Sequence, residues 1–152
     1  MHISESRYSP TVYAVLRVVV GVLFACHGAQ KLFGAFGAEA VSGKPLMFAA
    51  GVIEFFGGIL IAAGLLTRAA AFLASGQMAV AYFMAHAPKG FWPIVNHGEN
   101  AVLYCFIFLF IAAYGAGEYS LDAVLRRAGG VAREPHPAER VPASARHSSH
   151  TA

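Results

Sequence analysis

Residues 49–66 read AAGVIEFFGGILIAAGLL, a run of apolar residues and glycines with a single charged residue, Glu54, inside it. The nearest charges along the chain are Lys44 on one side and Arg68 on the other. A helix of roughly 20 residues crosses the bilayer core of about 30 Å. An unpaired charge near its centre costs on the order of 2.5–3.5 kcal/mol or more. The stretch therefore predicts a membrane-crossing helix whose one acid turns toward other helices and finds a partner there.

The composition of the chain agrees. Hydrophobic residues make up 57% of the 152 positions and charged residues 12%, against about 45–50% and about 25% in soluble domains. Mean hydropathy is +0.57. From Ala69 to Pro88 there is no Asp, Glu, Lys or Arg, so these segments lack the polar faces that helices of a soluble bundle carry. The pI near 9.1 comes largely from arginines at the ends of the chain. No aromatic–basic interleaving or recognition-helix pattern accompanies them, which argues against nucleic acid as a partner. Cys26 and Cys105 stand in apolar surroundings without CxxC spacing and read as small buried hydrophobes. A lipoprotein site at "LFAC" is set aside, because the apolar run continues through Cys26 into a full span.

Four spans are expected, at about 12–33, 45–66, 69–87 and 98–115, within a domain covering 12–122. Pro45 suits a first helical turn, and Pro88 and the "GAG" at 115–117 are stop signals. The short link at "LLTRAA" makes the second and third spans a tight antiparallel hairpin. All eight arginines then fall on one side (Arg7, Arg17, Arg68, Arg126, Arg127, Arg133, Arg140, Arg146) and the three lysines (Lys31, Lys44, Lys89) on the other. The positive-inside rule makes both termini cytoplasmic, in an all-α transmembrane four-helix bundle. Residues 1–11 form a short cytoplasmic lead. Residues 123–152, at most briefly amphipathic at "YSLDAVLRRAGG", are Pro-, Ser- and Ala-rich and are expected to be disordered.

Small residues let transmembrane helices approach. Ala50, Glu54, Gly58 and Ala62 share one face of the second span. Ala70, Ala74, Gln77, Ala81 and Ala85 stripe the third, and Arg17, Gly21, Ala25 and Gly28 the first, with His27 beside them. From the helical rise, His27 lies about 9 Å, and Glu54 and Gln77 about 13 Å, below the outer helix ends. His86, His97, Glu99 and Asn100 belong at the outer surface, with Phe91-Trp92-Pro93 as an interfacial aromatic anchor. Glu54 is then either protonated, or paired with a cation such as His27 or Arg17. It serves as glue between helices or in handling protons or a ligand. Arg17 could instead snorkel inward, and Lys31 outward. Asn96 suits an N-cap and Glu99 the positive end of the fourth helix. Nothing in the spacing of His86, His97 and Glu99 demands a metal.

These segments resemble the DoxX family of small bacterial membrane proteins, over about Tyr13 to Asp122. The likeness rests on "LRVVVGVLFACHGAQKLFG", "GVIEFFGGILIAAGLLTRAAA" and "HGENAVLYCFIFLFIAAYGAGEYSLD". The pattern of the family falls here on Arg17, His27-Gly28, Lys31-Leu32, Glu54, Gly57-Gly58, Thr67-Arg68 and Gly98-Glu99. The resemblance implies a membrane oxidoreductase or a subunit of one, acting on a quinone or similar lipophilic substrate in the bacterial inner membrane. Glu54, His27 and Glu99 are then the candidate catalytic groups. Arg17, Gln77, His86, His97, Trp92 and Tyr104 are candidates for substrate binding, with Tyr82 a further aromatic. Electrons would come from a redox partner protein or a reduced donor, since no haem, iron–sulfur or flavin motif is visible. The other readings are a non-catalytic scaffold subunit, a homo-oligomer, or a small proton-coupled transporter.

Overall fold

The computed structural model describes residues 7–131. Among them there is no strand. Helices α1 (Ser9–Phe33), α2 (Pro45–Ala63), α3 (Thr67–Ala81) and α5 (Glu99–Tyr114) are the long elements, with a four-residue α4 (Pro93–Asn96) and α6 (Leu121–Val131). Two of them, α1 and α2, are long and apolar enough to cross a membrane, while α5 is apolar but shorter. The four expected spans fall on α1, α2, α3 with its extension, and α5.

Boundaries moved for identifiable reasons. The second helix stops at Ala63, not 66, because Gly64 at φ 72 turns left-handed and its N–H caps Leu60 and Ile61 carbonyls. Such a cap is a common helix ending. The third begins at Thr67 and continues past Ala81 as a π-helical turn, Tyr82–His86, before the Ala87–Lys89 3-10 turn. The expected amphipathic stretch becomes part of α6; the remainder of the tail, with His136, His147 and His150, and residues 1–6 lie outside the described residues.

Side-chain size sets how the helices are spaced. The small-residue stripes of α1 and α2 meet at backbone contact. A Cβ added at Gly58 would lie 2.5 Å from the Ala25 nitrogen and the Gly21 oxygen, and one at Gly28 would lie 2.3 Å from the Phe55 nitrogen. Large rings separate α1 from α5 instead: Phe24 packs on Phe108 at 4.6 Å between centroids and on Tyr104 at 5.6 Å. Between α3 and α5, Ala70, Ala71 and Ala74 pack with Phe108 and Ile111, and the Ser75 hydroxyl donates to the Cys105 carbonyl at 2.8 Å.

The end of the molecule away from Lys31 is knitted by three polar side chains. Arg17, 2% exposed, donates through Nη1 to the Ala62 carbonyl at 2.9 Å and also to Ile61. Its Nη2 donates to the Tyr119 carbonyl at 2.7 Å. Arg17 thus satisfies the Ala62 carbonyl at the end of α2 and adds a second donor to the Ile61 carbonyl already capped by Gly64, rather than snorkelling. The Tyr13 hydroxyl donates to the Gly115 carbonyl. Asp122 caps a helix from 55 residues away: its carboxylate accepts from the Leu66 N–H (3.0 Å), the Thr67 N–H (3.1 Å) and the Thr67 hydroxyl (3.1 Å). Its own N–H donates to Gly64 O at 2.9 Å. Leu66, held at φ 48, offers no capping side chain, so this tertiary contact does the work. Partial burial pushes the Asp122 carboxyl up, but the hydrogen bonds from Thr67 and Leu66 and the nearby Arg126 outweigh it and hold it below its ordinary value.

Two outcomes follow for the full chain in mild detergent. Gly58→Ala should destabilise by about 1–3 kcal/mol through overpacking. Neighbouring Gly57→Ala, with no atom within 4 Å of its Cβ, should be neutral or gain up to about 1 kcal/mol of helix propensity. Thermal melts compare the two. Asp122→Ala should cost about 0.5–2 kcal/mol at pH 7, as lost caps do. Because folding depresses this carboxyl, its contribution is complete above about pH 4 and is lost as pH falls below that. The gap between variant and parent melts should therefore close toward acid pH.

Candidate functional site

Glu54 points into the molecule, 1% exposed. Its partners are not His27 or Arg17. Lys31 of α1 donates to both carboxylate oxygens, and Gln77 Nε2 of α3 donates to Oε1 at 2.8 Å. Lys31 is reached because it lies one turn beyond His27 on a helix pressed against α2 at Gly28. Its side chain reaches inward instead of snorkelling outward. Arg17 stands at the other end, bonded to residues seven and eight positions beyond Glu54, about 11 Å along the helix. It is not part of this site. The Lys31–Glu54 pair is the one carboxylate ion pair among the described residues. The Gln77 Oε1 atom is buried without a hydrogen-bond partner.

Beside this cluster lies a cavity of about 620 Å³, lined from all four long helices. Of the residues singled out from the sequence, Glu54, His27, Gln77, His86 and Tyr104 line it, together with Lys31 and Asn100. Most of the remaining wall is apolar, including Phe24, Ile53, Leu73, Met78 and Met84. His27 meets Tyr104 edge-on, with centroids 6.2 Å apart. Glu99, His97 and Trp92 do not line the cavity and are exposed at the surface of the molecule. Glu99 keeps the position at the start of α5 that suits the helix dipole. His86, His97 and Glu99 form no metal-ligating group among the described residues.

The rim of the cavity is organised by Asn96, which is not an N-cap. Buried at 2% exposure, its Nδ2 donates to the Gly90 carbonyl at 2.6 Å, and its Oδ1 accepts from the Gly98 N–H at 2.7 Å. His86 Nδ1 lies 3.1 Å from the Asn96 carbonyl oxygen, and the Tyr82 hydroxyl donates to the Phe91 carbonyl. Both Tyr82 and His86 belong to the π turn, a feature often found at functional sites. It carries His86 to the cavity rim.

A family model described as DoxX matches residues 12–87, half of the chain. A curated protein of Haemophilus influenzae, bearing the name "Uncharacterized protein", is 45% identical over 123 residues, which is 76% of this chain and 92% of the relative. The chain belongs to the DoxX family. No solved structure matches it. In this DoxX protein, the matched region contains the whole Lys31–Glu54–Gln77 cluster and the π turn, while Tyr104 and Asn100 of the cavity wall lie beyond it.

Two features of the site escaped the sequence. Lys31 read as a snorkelling end residue, and only its i+4 spacing from His27 hinted that it shares His27's face. Asn96 has a role set by three loop backbones that no local pattern reports. Removing one partner of a buried ion pair costs about 3–5 kcal/mol. Lys31→Met should therefore strongly destabilise the protein, and adding Glu54→Leu to it should restore much of the loss. Unfolding curves in detergent for the single and double variants test this.

Proposed function

We propose that this DoxX-family chain is a four-helix transmembrane bundle with both termini cytoplasmic in a bacterial inner membrane, and that it binds a quinone or similar lipophilic redox substrate in the cavity at its outer end. The observation that carries the reading is the pairing of an apolar, ring-lined chamber with one buried cluster of proton-bearing groups. A quinone needs an apolar slot for its ring and tail. It also needs hydrogen-bond donors at its carbonyl oxygens, and protons as electrons arrive.

Lys31 is the group suited to donate to a carbonyl oxygen. Glu54 holds Lys31 in place and passes protons on to it as it gives its own to the carbonyl oxygen, and Gln77 orients the carboxylate. Tyr104 and Phe24 offer ring faces. His27 and His86 connect the cavity to its rim, while the candidates Glu99 and His97 stand outside it. Reduction to the quinol takes two electrons and two protons. The protons pass through these side chains, and the electrons come from a redox partner protein. Residues 12–122 form the working domain and 123–152 an appended cytoplasmic tail.

A second reading has its own support. The Glu54 carboxylate already accepts from Lys31 and Gln77, so the same cluster serves simply to clamp α1, α2 and α3 together in a scaffold subunit. A substitution that fills the chamber without touching the clamp separates the two. A Cβ at Gly76, which lines the cavity, meets no atom within 4 Å. Gly76→Phe should leave the melting temperature near that of the parent and weaken binding of a short-chain quinone at least tenfold, as read by titration in detergent. Equal binding by parent and variant, or no binding by either with no quinone in the lipid extract of the purified protein, favours the scaffold.

A further inference from the structure

At the opposite end of the molecule lies a second cleft, of about 740 Å³, that the proposed chemistry does not use. Its walls are the start of α1, Arg68 at the start of α3, the end of α5 with the 115–118 loop, and α6. Three guanidinium groups, Arg68, Arg126 and Arg127, line it against a single lining carboxylate, Glu118. None of the three forms a salt bridge among the described residues. Asp122, the other acid nearby, is engaged at the start of α3. Arg68 Nη2 donates to the Tyr114 carbonyl at 3.4 Å, and its guanidinium lies close beside Gly115, where φ is 97 and an added Cβ would come within 3.1 Å of Nε. The rings of Tyr13 and Tyr114, 4.4 Å apart, form an apolar side of the same cleft.

Helix α6 has two faces. Ala123, Arg126 and Arg127 line the cleft, while Leu121, Val124 and Leu125, three and four residues apart, are 47%, 56% and 60% exposed. A short helix with one basic and one exposed apolar side lies in the plane of the bilayer surface, with its apolar side among the acyl chains. That would set the cleft at headgroup depth. Guanidinium groups match the phosphate of a lipid in charge and geometry.

We propose that this cleft is a binding site for the phosphodiester headgroup of an anionic glycerophospholipid, held by Arg68, Arg126 and Arg127, with the start of its acyl chains against the Tyr13–Tyr114 side of the cleft. The site is separate from the outer cavity and does not depend on what fills that cavity. The lipid ties α6 to the ends of α1, α3 and α5, so occupancy should raise the stability of the whole chain.

The test uses the full chain in mild detergent, with the melting temperature followed during titration of short-chain phosphatidylglycerol, phosphatidylcholine or inorganic phosphate at matched ionic strength. Phosphatidylglycerol should raise the midpoint well above the effect of either other addition. Arg127→Gln should weaken its half-saturating concentration about fivefold, and the Arg126→Gln/Arg127→Gln double variant tenfold or more. Both substitutions lie on the exposed side of a surface helix, and the single variant keeps the test open should the double variant fold poorly. Lys44→Gln/Lys89→Gln, at the other end, should respond like the parent. Equal stabilisation by phosphatidylcholine would reduce the cleft to an apolar lipid contact, and equal stabilisation by phosphate would make it a free-anion site. A response unchanged in the double variant would move lipid binding elsewhere. Any of these three overturns the proposal.

Discussion

The Glu54 carboxylate, set among apolar residues with Lys31 on one side and Gln77 on the other, is the constraint around which this structure is arranged. A charge removed from water is tolerated only with an opposite charge and hydrogen bonds on its remaining lone pairs. Meeting that demand requires a residue from α1 and one from α3 to reach a single point on α2. The approach of α1 to α2 makes the first contact possible. Had Gly28 or Gly58 carried a side chain, the helices would stand farther apart, and Lys31 would have to stretch or release its acid. Glycine contact and ion pair are therefore parts of one solution.

The contrast between the two ends of the molecule has the same physical origin. At the end away from Lys31, polar groups are spent on structure. Arg17 closes carbonyls at the end of α2, Tyr13 ties α1 to the end of α5, and Asp122 supplies the cap that Leu66 cannot. Backbone groups at helix ends have no partners of their own. At the Lys31 end, α1 and α5 are held apart by aromatic rings, and a chamber remains between the α1–α2 and α3–α5 pairs. The Lys31–Glu54–Gln77 cluster borders that chamber. A polar cluster lining an otherwise apolar cavity is the arrangement that supports the ligand-binding reading.

Several residues changed meaning once their surroundings were in view. Arg17 and Glu54 are the two most buried charged residues of the long helices, and pairing them is the natural inference from a list of buried charges. Arg17 belongs to α1, however, and bonds α2 about two turns beyond Glu54, while Glu54 is answered by Lys31 and Gln77. Asn96 has the residue type and position of an N-cap, yet its short side chain joins Gly90 to Gly98 and so shapes the rim. The π turn at Tyr82–His86 left no mark that period or propensity would reveal, because one extra residue in a turn does not disturb an apolar pattern.

What the amino-acid sequence determined by itself was the helical, membrane-like character of the chain, the approximate extents of the long helices, the family, and the small-residue faces that bring α1 and α2 together. These follow from composition, period and glycine or proline punctuation, all of which are local. The tertiary structure alone decided which cation answers Glu54, which of the candidate residues share one cavity, and which polar groups merely close helix ends. Those outcomes depend on distances of a few ångströms between residues 23 to 102 positions apart, and such distances are set by how closely helix backbones approach, not by any segment read alone.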